Sequence, residues 1–318
     1  MKTWFLILLF FILCGSIVLI MFNNFSSAPI PQEVGTIEVY FCPQDNCEQQ
    51  LLERISNANY SIHCAFFDLN VDSIINALSE STADVKVIID KDNAEDISLS
   101  FIQTDTRSAY MHDKFCIFDN KEIFTGSMNP TITDAGKNNN NIQFITSKYL
   151  AENYEDEFNN MWQGEFGNDA HVKYAQILFN NISIENYFCP EDDCEDHIAE
   201  ELTNAKSSIY FMQFSFTSDM VGDIILQKSK SIEVKGIFEK SQSSQYSEYE
   251  KLKSFSTLDA SSGLLHHKVF IIDNETVITG SMNPSKNGNE NNDENVLIIH
   301  DKEIAKMYTS EFEKLFFQ

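Results

Sequence analysis

The sequence predicts an α/β protein made of two tandem units, preceded by an apolar N-terminal segment. The first observation is an internal repeat, in which MHDKFCIFDNKEIFTGSMNP at 111–130 recurs as HHKVFIIDNETVITGSMNP at 266–284. Corresponding residues in these stretches lie 154 positions apart, as His112 and His266 do. The second observation is that each repeat alternates strand-like and helix-like segments, a pattern typical of α/β folds.

The hydrophobic pattern predicts the elements of each unit in order. In the first unit we expect strands at 37–42, 61–69, 85–90 and 142–147, a strand pair within 114–127, and helices at 45–57, 71–79 and a closing helix that includes 157–162. Asp45 is a candidate N-cap for the first helix. The second unit repeats this order and ends in a helix over 303–317.

The N-terminal segment predicts a membrane anchor. Residues 4–22 are apolar and carry no charge, a length close to the roughly 20 residues that a spanning helix needs. No small-residue cleavage site of the A-x-A kind follows, although a cleaved signal peptide is the alternative. Because Lys2 precedes the span and the next basic residue is Arg54, the positive-inside rule places the body outside the cytoplasm. The expected domains are an anchor at 1–22, a linker at 23–36, and units at 37–167 and 168–318.

Cysteine spacing predicts two disulfides in such an exported body. FCPQDNC at 41–47 matches FCPEDDC at 188–194, which suggests Cys42–Cys47 and Cys189–Cys194 bridges. Four thiolates could instead hold one zinc ion, but each pair joins a strand end to a helix start, which favours disulfides. Cys64 and Cys116 lie in apolar strand-like runs, where we expect buried thiols.

The repeated motif carries the residue types that phosphodiester cleavage requires, namely a nucleophile, an acid and positive charge. In His-x-Lys on a strand both side chains face one side, so His112 points with Lys114, and His266 with Lys268. Short polar side chains that could bind substrate follow at Ser127, Asn129, Ser281 and Asn283, behind Gly126 and Gly280. Asp119 and Asp273 complete each motif, but their odd spacing from the histidine indicates a turn-fixing role. His267 is expected to face away from the site.

These residues resemble the phospholipase D superfamily, whose motif is His-x-Lys-x4-Asp followed by Gly-Ser-x-Asn. The chain is most similar to the bacterial endonuclease and mitochondrial cardiolipin hydrolase (Zucchini) branch. The resemblance implies two phospholipase D-like α/β/α sandwich units that form a pseudo-two-fold dimer. It also implies one active site at their interface within a monomer, a phosphohistidine intermediate, and no metal or cofactor.

The two halves differ at one position that matters for this chemistry. Relatives often carry an acidic residue after the Gly-Ser-x-Asn segment, and Glu294 fills this place in the second half, where the first has Asn140. By the resemblance Glu294 reaches across to His112, which would be the nucleophile. His266, which would face the neutral Asn140 and no carboxylate, would be the general acid. Asn140 is also a candidate substrate-binding residue.

The sequence favours a phospholipid substrate. The net charge of −26 disfavours a nucleic-acid partner, since phosphate binding normally relies on basic residues. A membrane-anchored endonuclease and a phosphatidyl transferase of the cardiolipin-synthase type are the alternatives. A non-catalytic scaffold would predict decayed motifs, and both motifs are intact.

Overall fold

The computed structural model describes residues 29–94, 99–167 and 170–318, of which Pro31–Gln318 form one compact body. Across these described ranges, no helix is both long and apolar enough to cross a membrane. The apolar run at 4–22, predicted to be the anchor, lies outside the described residues.

Two mixed sheets organise this body. A short strand, β1 (Gln32–Glu33), precedes the first sheet, which contains β2 (Ile37–Cys42), β3 (Ser61–Phe66), β4 (Asp84–Asp90), β5 (Ile102–Asp105), β6 (Lys114–Phe118), β7 (Glu122–Gly126) and β8 (Asn140–Thr146). Its order is β2-β8-β7-β6-β3-β4-β5. The predicted strands are therefore present, and β5 is an addition.

The second sheet repeats this arrangement. It contains β9 (Gln176–Phe179), β10 (Ile182–Cys189), β11 (Ser208–Gln213), β12 (Glu233–Phe238), β13 (Ser256–Leu258), β14 (Lys268–Ile272), β15 (Thr276–Gly280) and β16 (Glu294–Ile299). Its order is β1-β9-β10-β16-β15-β14-β11-β12-β13, so seven strands correspond in sequence and position to those of the first sheet. Strand β1 pairs in parallel with β9, with Gln32 opposite Leu178. The segment expected to be a linker thus adds an edge strand to the second sheet.

The helices cover both sheets. They are α1 (Cys47–Asn57), α2 (Asp72–Glu80), α3 (Ile132–Gly136), α4 (Lys148–Trp162), α5 (Cys194–Asn204), α6 (Asp219–Lys228), α7 (Tyr249–Leu252), α8 (Lys286–Glu290) and α9 (Lys302–Phe316). The N-cap predicted for α1 was wrong. Asn46, in the left-handed region, precedes the helix, while the Asp45 carboxylate turns back to accept the Phe41 backbone N–H at 2.8 Å.

Alternation along the strands creates three apolar cores. Phe115 and Ile117 of β6 face a core shared by both sheets, which also holds Tyr154 of α4 and Tyr308 of α9. Cys116, on the opposite face of β6, joins an outer core with α1 and α2, and the second sheet has a corresponding outer core with α5 and α6. The shared core joins the two repeats into one body, because apolar side chains from both lose water together.

Three disulfides are present in the described residues. Both predicted bridges are confirmed, and each ties the end of a strand to the start of a helix (Cys42–Cys47 and Cys189–Cys194). The expectation of free thiols at Cys64 and Cys116 was wrong, because these two are bonded to each other. They lie directly opposite on the antiparallel strands β3 and β6, with Cα atoms 4.0 Å apart. The hydrophobic pattern of the sequence places both cysteines in strands, but it cannot reveal that the two strands are neighbours in the sheet.

Candidate active site

The two His-x-Lys pairs lie at the seam where one repeat meets the other. The backbone N–H of His112 donates to the Asp293 carbonyl at 2.9 Å, and that of His266 donates to the Asn139 carbonyl at 2.8 Å. The segment that leads into each of the strands β6 and β14 is therefore hydrogen-bonded to the opposite repeat. This exchange brings together two histidines that are 154 residues apart in the chain.

His112 is held by a carboxylate from the other repeat, as predicted. Its Nδ1 lies 2.8 Å from Oε2 of Glu294, which also accepts the Ser281 hydroxyl at 2.7 Å. Burial raises the pKa of Glu294 to about 8, although the charges of Lys114 and Lys268 oppose this. When Glu294 is ionised, its Oε2 accepts from both groups, so the imidazole carries its proton on Nδ1 and turns the Nε2 lone pair away from Glu294. Burial, together with the charges of Lys114 and Lys268, lowers the pKa of His112 well below its usual value. A neutral, oriented imidazole is suited to nucleophilic attack.

His266 has a matching but chemically different support. Its Nδ1 lies 2.8 Å from Oδ1 of Asn140, and that oxygen also accepts the Ser127 hydroxyl at 3.0 Å. The expectation that this histidine faces only a neutral amide was incomplete, because Oδ2 of Asp134 lies 3.5 Å from the same Nδ1. Asp134 is buried, and it takes hydrogen bonds from the Asn129 backbone and side chain.

Asp134 is thus a residue that sequence comparison of the repeats missed. Its counterpart in the second repeat is Gly288, so alignment suggests no carboxylate. The available signal was that Asp134 is the one acidic residue between Pro130 and Asn141. Burial opposes ionisation of Asp134, but its interaction with His266, hydrogen bonds from Asn138 and Asn129, and the charge of Lys268 outweigh it and lower its pKa. Each repeat therefore supplies one carboxylate to the other repeat's histidine, from different positions.

The lysines set the electrostatics of the pocket. The Nζ of Lys268 donates to the His266 carbonyl at 2.7 Å, and Lys114 makes the same contact with the His112 carbonyl. Burial lowers the pKa of Lys114 to about 8, and burial with the neighbouring Lys114 charge lowers that of Lys268 well below its usual value. Two buried lysines at the same seam favour an anion such as a phosphodiester, which would stabilise their charged forms.

One aromatic ring in each repeat supports its His-Lys pair. The Phe67 ring meets the His112 ring edge-on at 4.8 Å, and Phe214 meets His266 at 4.6 Å. Each lysine ammonium lies over the same ring of its own half, 5.2 Å from Phe67 and 4.9 Å from Phe214. Phe67 and Phe214 correspond at an offset of 147, so the repeat conserves this aromatic support for both His-Lys pairs.

The remaining polar residues of the motif lie around and behind this centre. Ser127 and Ser281 are fully buried and bond to Asn140 and Glu294, respectively, so the geometry favours a positioning role for them and for Asn140. A Cβ at Gly280 would lie 2.2 Å from the Asn295 carbonyl oxygen, and Gly126 has the equivalent restriction. Both glycines have φ near 140°, as the predicted close backbone approach requires.

Three residues lie away from the chemistry, as expected from their spacing. Asp119 accepts backbone N–H bonds from 59–61, and Asp273 accepts them from 206–208, so both fix the turn at the far strand end. His267 is buried on the opposite strand face, with its Nδ1 2.9 Å from Oδ1 of Asn141. Asn283 is half-buried, with no hydrogen-bond partner for its Oδ1 among the described residues.

Comparison with known proteins places this geometry in a family. The family model described as "Cardiolipin synthase, PLD-like domain" matches residues 51–162 and again 198–316, once in each repeat. The chain belongs to this phospholipase D-like family. The chain is 30% identical over 144 residues to the phospholipase D of Rickettsia conorii, covering 42% of this chain and 72% of that protein. It is 32% identical over 119 residues to the mitochondrial cardiolipin hydrolase of Xenopus tropicalis, covering 36% of this chain and 57% of that protein.

A solved structure matches the whole two-repeat body. The phosphatidylserine synthase of Haemophilus influenzae superposes with a TM-score of 0.65 at 14% identity, covering 87% of this chain and 85% of that protein. At this identity the likeness concerns the fold alone. It shows that the two repeats together, and not only each one separately, share the fold of a solved structure.

Proposed function

We propose that this chain is a membrane-anchored phospholipase D-type phosphodiesterase that cleaves a phospholipid through a phosphohistidine intermediate on His112. The observation that carries the proposal is the convergence of two oriented His-Lys pairs at one seam, each histidine bound at Nδ1 by the opposite repeat. Within one chain this supplies a nucleophile, an acid and two cations. The two units would act as a pseudo-two-fold dimer, so a monomer contains the complete site.

The first chemical step needs no group beyond these side chains. Nε2 of His112 attacks phosphorus, and the bond from phosphorus to the leaving alcohol oxygen breaks. His266 donates its Nε2 proton to that oxygen, while Lys114 and Lys268 hold the phosphoryl oxygens. In the second step His266 removes a proton from water, water oxygen bonds to phosphorus, and the P–N bond to His112 breaks.

The charge of the bound substrate favours protonation of His266, which its role as the acid requires. Burial and the Lys268 charge lower the pKa of His266 to about 3, so it is neutral in the free enzyme. A phosphodiester anion between the lysines offsets their charge, and the nearby Asp134 carboxylate stabilises the imidazolium. Substrate binding therefore favours the protonated acid where the leaving oxygen needs it.

Three observations support a lipid rather than a nucleic acid. The net charge of −26 opposes polyanion binding. The apolar run at 4–22 would hold the site beside a bilayer. Two of the relatives are named for phospholipid hydrolysis. A phosphatidyl transferase is the second candidate, because the family model is described by cardiolipin synthase and because an alcohol could replace water in the second step.

A side-by-side assay tests substrate class and reaction type. The full-length protein is incubated with phospholipid vesicles, with vesicles containing excess glycerol, and with single-stranded DNA. We expect faster cleavage of lipid than of DNA, and a phosphatidylglycerol product would identify transfer. Nuclease turnover far above turnover on every phospholipid would overturn the lipid assignment and favour the endonuclease.

We further propose that residues 1–22 anchor the chain with its body outside the cytoplasmic membrane. This rests on Lys2 before the apolar run and on the absence of basic residues from there to Arg54. The anchor would be followed by a linker at 23–36 and units at 37–167 and 168–318. Protease added to intact cells should remove the body, whereas full protection would reverse the topology.

A further inference from the structure

Buried carboxylates converge at a second place on the seam. Oxygen atoms of Glu157 (α4), Glu191 (after β10) and Asp293 (before β16) lie within 4.8 Å of one another. All three side chains are buried. Three oxygens no more than 4.8 Å apart lie within about 2.8 Å of a common centre, close to the roughly 2.3–2.6 Å length of calcium–oxygen bonds, so one ion could contact all three groups.

A fourth buried carboxylate, Asp113, lies beside this cluster and has an unused oxygen. Asp113 is next to Asp293, because the residue before it, His112, donates its backbone N–H to the Asp293 carbonyl at 2.9 Å. It is fully buried, and its Oδ1 accepts from Asn295 at 2.6 Å, but Oδ2 has no hydrogen-bond partner among the described residues. Burial raises the pKa of Glu157, and the charges of Glu191 and Asp113 add to this.

The carboxylates of Asp293, Glu157 and Asp113 differ in their basic partners. Arg107 forms an ion pair with Asp293, and it also pairs with Asp105. In the described part of the chain, no basic side chain ion-pairs with Glu157 or Asp113. Ionised carboxylates buried without counter-ions are strongly destabilising, so such clusters either bind cations or retain protons.

The repeat shows that this cluster is not required by the fold. The position of Asp113 is occupied by His267 in the other repeat, that of Asp293 by Asn139, and that of Glu191 by Gln44. Glu157 alone has an acidic counterpart, Glu311, and that residue is neutralised by Lys314 at 3.1 Å. The acidic cluster is therefore a property of one side of the seam.

We propose that Glu157, Glu191 and Asp293 bind one hard divalent cation of the calcium type, with Asp113 beside it. The donors are all carboxylate oxygens, without histidine or cysteine, which favours calcium or magnesium over zinc. Glu157 also lines a surface pocket of about 410 Å³, which gives the ion a route from solvent. Sequence spacing did not reveal the site because its ligands come from three distant segments.

The bound cation would stabilise the contact between the two repeats rather than take part in the reaction. Glu157 belongs to the first repeat, while Glu191 and Asp293 belong to the second. The Asp293 carbonyl accepts the His112 N–H, and the next residue is Glu294. The ion thus ties the two repeats together beside the segment that orients the nucleophile.

Calcium titration of the full-length protein in detergent, after removal of bound metal, tests this site. Calorimetry should show one saturable calcium ion per wild-type chain. At a free concentration one hundred times Kd, the melting temperature should rise by on the order of 5 °C. Glu157→Gln should lose both responses, and its melting temperature without metal should equal or exceed that of the wild type, because one buried charge is gone.

Glu311→Gln is the matched control, since it removes the corresponding carboxylate at the other side of the seam and should keep both responses. Glu191→Gln provides a second variant and should behave like Glu157→Gln. Equal calcium shifts in the wild type and all three variants would indicate binding elsewhere on the acidic surface and refute the site. Absence of stoichiometric binding to the wild type, with stabilisation on acidification that Glu157→Gln lacks, would mean that the cluster holds protons only. Binding of magnesium but not calcium would overturn the calcium assignment.

Discussion

Replacing Asp134 by Asn should damage the leaving-group step selectively. The carboxylate lies 3.5 Å from Nδ1 of His266, and both groups are buried. At an effective dielectric constant of about 20, a unit charge at this distance stabilises the imidazolium by about 5 kcal/mol. The loss in rate is limited by what a general acid contributes, typically about 10²–10⁴-fold. We therefore expect kcat/KM to fall by roughly 10²–10³-fold for a phospholipid with an alkyl alcohol leaving group.

The comparison substrate is a p-nitrophenyl phosphodiester, whose leaving group departs without protonation. For this substrate the kcat/KM of Asp134→Asn should fall by no more than a few-fold, because kcat/KM covers only formation of the phosphohistidine. Glu294→Gln is the matched control. It removes the carboxylate from His112, 2.8 Å away, and should reduce kcat/KM for both substrates alike.

Stopped-flow release of p-nitrophenol, together with phospholipid turnover, provides both measurements. If Asp134→Asn reduced kcat/KM equally for the two substrates, His266 would not be the acid. If Glu294→Gln left kcat/KM for the p-nitrophenyl ester unchanged while Asp134→Asn lowered it, the roles of the two histidines would be exchanged.

Three further predictions concern the adduct, the metal requirement and the third disulfide. His266→Ala should still form a phosphohistidine with p-nitrophenyl substrate and His112→Ala should form none, as peptide mass spectrometry of quenched enzyme would show; an adduct on His266 in the wild type would contradict this. Activity assayed well below the melting temperature should survive excess EDTA, since both histidines and both lysines act without a metal, and a loss reversed by a divalent ion would argue for metal-dependent chemistry. Replacing Cys64 and Cys116 together by Ala should lower the free energy of unfolding by about 4 kcal/mol in denaturant titrations, because the bridge closes a 52-residue separation; an unchanged free energy would show that the bridge does not form in solution.

The sequence alone determined the repeat, the order of its elements and the reactive residues. Period-two alternation placed His112 with Lys114 on one strand face, and the offset of 154 identified His266 and Lys268 as their partners. The sequence also predicted both short-range disulfides and the turn-fixing role of Asp119. The disulfides join residues close in sequence, and the role of Asp119 depends only on the alternation of side chains between the two faces of a strand. The link from Glu294 to His112 came from the resemblance and is confirmed by their 2.8 Å contact.

The tertiary structure decided which distant residues meet. Asp134, in the short helix α3, lies 3.5 Å from His266 across the seam, and its counterpart Gly288 gave no hint of this. Cys64 and Cys116 are bonded because β3 and β6 are neighbours, and the carboxylates of Glu157, Glu191 and Asp293 meet because two repeats share one core. Local patterns encode the face on which a side chain lies, but the partner across a seam depends on how apolar faces pack, which involves the whole chain at once.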